Sequence, residues 1–62
     1  MRHLTIKDRA EMKYMGYNFR VFFKNSHGVP FHKDFTNRNE MEDFIARAEQ
    51  VGTTTECIIE RN

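Results

Sequence analysis

All eight aromatic side chains of this 62-residue chain lie between Tyr14 and Phe44. Whatever core the chain builds must therefore be built by its middle half. Within that stretch, residues 17–24 alternate: Tyr17, Phe19, Val21 and Phe23 point one way, and Asn18, Arg20, Phe22 and Lys24 the other. Aromatic and branched residues at period two read as a strand. Asn25, Ser26, His27 and Gly28 follow with turn chemistry, since Asn and Gly tolerate the left-handed backbone of a hairpin. A second strand is expected over 29–35, with Val29, Phe31, Lys33 and Phe35 on one face and Pro30, His32 and Asp34 on the other. Pro30 has no amide to donate, so this strand belongs at a sheet edge.

A helix is expected next. Asn37 with Glu40 three residues on fits a capping box, and Thr36 is the other candidate cap. Met41, Phe44, Ile45, Ala48 and Val51 repeat at helical spacing, Glu40, Glu42, Asp43, Arg47 and Glu49 form the wet face, and Gly52 is placed for a left-handed cap. Residues 53–60 read as the last strand, with Thr55, Cys57 and Ile59 on one side and Thr54, Glu56, Ile58 and Glu60 on the other. Residues 1–15 are less patterned. A short helix from Thr5 and Asp8 to Gly16 is the preferred reading; an edge strand over 2–7 is the alternative.

The expected fold class is thus a small α+β domain of order (α)ββαβ spanning 1–62, with an N-terminal short helix or arm at 1–15 and a ββαβ core at 16–62. Its three-stranded mixed sheet has order 2-1-3, with one amphipathic helix packed on one face. The crossover helix must skip a strand, which puts the most apolar strand in the middle. The helix stripe is expected to cover Phe19, Val21, Phe23, Phe31, Phe35, Cys57 and Ile59. The reverse face then carries Arg20, Phe22, Lys24, His32, Asp34, Glu56 and Ile58. Large apolar groups rimmed by charge mark a contact surface unless the N-terminal segment folds over them with Leu4, Ile6, Met12 or Met15.

Size excludes much. A chain this short buries only about 60% of its unfolded surface, too little to wall a deep catalytic cleft. One cysteine, Cys57, excludes an intramolecular disulfide and multi-cysteine zinc sites, and it suits a reducing, cytoplasmic setting. No apolar run approaches the roughly 18 residues of a membrane span, and the first eight residues do not read as a signal peptide, so the chain reads as a free-standing product with no membrane partner. Net charge is +1, but residues 1–33 carry +5 and residues 34–62 carry −4.

The chemistry-bearing residues are sparse. Of the three histidines, His3, His27 and His32, the last two are five positions apart across the hairpin, and no third ligand at suitable spacing is evident, since Cys57 is expected on the opposite side of the sheet from His32. His27 sits in a turn beside Ser26, where it reads as a polar turn residue. No phosphate loop is present, because Gly16, Gly28 and Gly52 stand singly at element ends. No cofactor, metal or catalytic residue is assigned.

The functional expectation is a small non-enzymatic protein that binds and inhibits or modulates another macromolecule. A phage or mobile-element protein directed at a host nucleic-acid-handling enzyme is the closest type. Its candidate contact residues are Arg20, Phe22, Lys24, His32 and Ile58 on the sheet, and Glu40, Glu42 and Asp43 on the helix. Another protein is the expected partner, with a homodimer as a further option. The alternatives are an RNA- or DNA-binding regulator using the basic sheet face, and a small ribonuclease toxin dependent on His27.

Overall fold

Each element ends where its sequence stops supporting it. In the computed structural model, which describes residues 5–61, the order is α1 (Thr5–Met15), β1 (Phe19–Lys24), β2 (Pro30–Phe35), α2 (Arg38–Gln50) and β3 (Thr54–Glu60). Asn37 caps α2: its side-chain oxygen accepts from the backbone N–H groups of Asn39 at 2.7 Å and Glu40 at 3.4 Å. Gly52, at φ 90°, closes the helix as its amide reaches the Glu49 carbonyl while the Thr53 amide reaches Ala48. This paired closure is the Schellman arrangement. The same arrangement ends α1, where the Gly16 amide bonds Lys13 and the Tyr17 amide bonds Met12. In the hairpin, the Asn25 side chain accepts from the amides of His27 and Val29, at 2.8 and 2.9 Å.

The sheet order is β2-β1-β3, and β1 is antiparallel to both neighbours. The expected mixed sheet is therefore an antiparallel one: β2 and β3 run in the same direction but are separated by β1. Pro30 opens β2, an outer strand, so its missing amide costs the central ladder little.

Val21, Phe23, Phe35 and Met41 form the core on the α2 side, with Phe19, Phe44 and Ile45 packed against it. Phe23 is the hub. Its ring stacks on Phe31 at 5.1 Å and meets Phe44 at 5.4 Å, while Phe44 meets Phe35 at 5.5 Å. Val51 does not join this stripe; it is the C-cap of α2 and is 73% exposed.

Of the expectations about the faces, one left open is decided and one changes. First, α1 lies on the reverse face of the sheet. Neighbouring residues of a strand point to opposite faces; Val21 meets the α2 core, whereas Arg20 bonds Asp8 and Glu11 of α1. Of the four residues expected to cover that face, Met12 is fully buried, Ile6 and Met15 are exposed, and Leu4 lies outside the described residues. Second, β3 carries a bulge. Phe22 pairs with Cys57 but Phe23 pairs with Thr55, leaving Glu56 as the extra residue. The bulge switches phase. Cys57 and Ile59, expected under α2, stand opposite Phe22 and Arg20 on the α1 side, and Ile58 stands opposite Val21 on the α2 side.

Candidate functional site

At the centre of the α1 side sits Arg20, 5% exposed and held by three carboxylates. Its Nε and Nη2 donate to Asp34 Oδ1 and Oδ2 at 2.7 and 3.1 Å. Its Nη1 donates to Asp8 Oδ1 at 3.1 Å and to Glu11 Oε1 at 2.8 Å. Asp8 and Glu11 are three apart on α1, so they project from one side of the helix. The second Asp8 oxygen is buried without a hydrogen-bond partner. These contacts hold Arg20 above its ordinary value, chiefly through the hydrogen bond to Asp34. The hydrogen bond from Arg20 holds the Glu11 carboxyl below its own, against a smaller opposing effect of burial.

Arg20 is therefore withdrawn from the surface, contrary to its expected place on an open contact face. What draws it in are Asp8 and Glu11, whose sequence positions read as ordinary surface charge. The available signal was an unbalanced arginine in the most apolar strand, with two acids at i and i+3 on a neighbouring helix.

The rest of the reverse face is open only toward the hairpin. Phe22 is half-buried and its ring lies 5.5 Å from that of His32, which is exposed. Lys24 is exposed and bridges to Glu56 at 3.4 Å. At the hairpin end of β1 and β2 a shallow depression of about 300 Å³ is lined by residues of both faces, Phe22, Phe23, Pro30, Phe31, His32 and Glu56. Cys57 is half-buried and shares this face with His32, the reverse of its expected placement, because the bulge flips it. Phe22 stands between the two in the register. Among the described residues, no group of three or more His, Cys, Asp or Glu is placed to hold a metal ion. His3 lies outside the described residues. His27 sits in the hairpin turn.

The α2 side differs in sign. Glu40, Glu42 and Asp43 are exposed, as is Glu49. Asp43 is bridged by Arg47 at 2.9 Å, and Arg38 bridges Glu60 at 3.2 Å while its guanidinium lies 5.0 Å from the Phe19 ring. Glu42 and Glu49 are seven residues apart and share one flank of the helix. Ile58, at 47% exposure, adds an apolar group on the same side of the sheet. The structure thus places Ile58 on the α2 side of the sheet rather than on the face of Phe22.

Among the described residues, no helix is long and apolar enough to cross a membrane. Compared with models of known families, with curated proteins and with solved structures, the chain matches none.

Proposed function

We propose that this chain is a non-enzymatic binding protein that inhibits or modulates a nucleic-acid-handling enzyme, docking through the acidic side of α2. The observation that carries this reading is that Glu42 and Glu49, on one flank of α2, are exposed and hold no ion pair among the described residues, on the same side of the sheet as the exposed Ile58. Unneutralised carboxylates on the same side as an apolar anchor suit a basic groove, the common feature of proteins that grip phosphate backbones. Complementary charge of this kind speeds encounter and sets register. Phe22, Lys24 and His32 around the depression are a second contact in this reading; Arg20 is not. Small proteins that mobile genetic elements direct against host enzymes are the nearest type, and Cys57 as a lone thiol suits action inside a cell.

Affinity capture from a lysate tests it. The unchanged chain is expected to retain an enzyme with a basic active groove, and Glu42→Lys with Glu49→Lys is expected to lose it. Identical capture by both forms, or capture of no such enzyme, overturns the reading.

A further inference from the structure

The two acids of α1 are spent on Arg20, and this changes what the helix shows to solvent. Around the helical turn, Asp8, Glu11, Met12 and Met15 occupy one arc, and Ile6, Lys7, Arg9, Ala10, Lys13 and Tyr14 the other. Asp8 and Met12 are buried, while Ile6 is 84% and Tyr14 92% exposed. Lys7, Arg9 and Lys13 are exposed too, Arg9 with its Nε donated to the Glu60 backbone carbonyl at 2.9 Å and its two terminal nitrogens left for a phosphate. The outer arc therefore carries three cations and no carboxylate, although the helix as a sequence is nearly balanced.

We propose that the outer arc of α1 binds single-stranded nucleic acid, with phosphates on Lys7, Arg9 and Lys13 and a base stacked on Tyr14. Three arguments favour this occupant. The charge is complementary, and phosphate neutralisation is the main source of affinity for a polyanion. An aromatic ring this exposed is unexplained by packing, and such rings are the platforms on which unpaired bases stack. The helix is 11 residues long, about 16 Å. That length suits a few nucleotides of an unpaired strand. A membrane surface fits less well, because a helix lying in lipid needs a broad apolar arc, and Ile6 and Tyr14 do not make one.

This surface lies across the sheet from α2 and is independent of the reading above. It adds a second ligand, so that the chain holds an enzyme on one side and a strand on the other.

The test uses the purified chain alone, by fluorescence anisotropy with a labelled single-stranded oligonucleotide. Three phosphate contacts give a log–log salt slope of about −2, so binding should weaken about 15-fold between roughly 50 and 200 mM salt. Lys7→Ser with Lys13→Ser should reduce that loss to about threefold. Neither lysine pairs with Arg20, although Lys7 exerts a lesser pull on Glu11, so circular dichroism is to check that the variant keeps its fold. Tyr14→Leu should weaken binding about tenfold while Tyr14→Phe retains it. No binding at low salt, an unchanged slope in the double serine variant, or tighter binding to phosphatidylserine vesicles than to the oligonucleotide overturns the proposal. None of these results bears on capture through α2.

Discussion

Arg20 and Asp34 form a two-pronged pair across adjacent strands, at 2.7 and 3.1 Å. The pair leaves Nη1 of the arginine to reach up to α1, so one side chain ties the central strand, an outer strand and a helix together. A planar guanidinium has the fixed fork that such a junction needs, and a lysine does not.

Removing this arginine should be more damaging than removing it together with its two more deeply buried carboxylates, Asp8 and Asp34. Arg20→Met leaves Asp8 buried beside Asp34 with no counter-charge, and breaking a buried pair this way costs about 3–5 kcal/mol. A domain of this size has about that much stability in total. Urea unfolding should find Arg20→Met largely unfolded, and the triple change Arg20→Met, Asp8→Leu, Asp34→Val at least partly restored.

Acid should weaken the fold. The Glu11 carboxyl is held below its ordinary value of 4.5 by its hydrogen bond from Arg20. A depressed carboxyl stabilises the fold above that ordinary value and loses the contribution as pH falls through its lower folded value. Melting temperature should therefore drop as pH falls below about 4.5, and Glu11→Gln should flatten that decline. Equal acid limbs in the two proteins would remove Glu11 from the account.

The C-terminal closure of α2 should be the least replaceable turn. A β-carbon at Gly52 would strain a backbone at φ 90° and lie 3.3 Å from Cβ of Ser26 in the hairpin. Gly52→Ala should cost about 1–2 kcal/mol. Gly16→Ala, which meets no atom within 4 Å, should cost less, as paired thermal melts would show.

The helix α1 should detach before the sheet melts. Among the described residues its buried apolar anchor is Met12, and a helix of this length does not persist alone. Met12→Ser should speed hydrogen exchange across Thr5–Met15 far more than across Phe19–Lys24. Uniform loss of protection would mean that helix and sheet open together.

Much of this was legible in the residue order because it depends on neighbours close in sequence. Asn37 and Gly52 announce the ends of α2, alternation announces β1, and Pro30 assigns β2 to an edge. The bulge was not legible, since Thr54, Thr55, Glu56, Cys57, Ile58 and Ile59 alternate acceptably in either phase and only pairing with β1 decides. The inward turn of Asp8 and Glu11 was hidden for a different reason. Nothing local distinguishes a carboxylate bound for an arginine in the next element from one bound for water. Arg20 accordingly drops out of the candidate surface, while the acids of α2, candidates from the sequence onward, stay in it.

Among the described residues no strand pairs with the outer margin of β2 or β3, and such margins are templates on which further copies of a chain can add as fibrils. Proline blunts one margin, and the extra residue at Glu56 bends the other out of regular pleat. Shortening β3 by that one residue would leave a straight, proline-free margin. The irregularity that obscures the strand's phase is thus also what guards the chain against aggregating with itself.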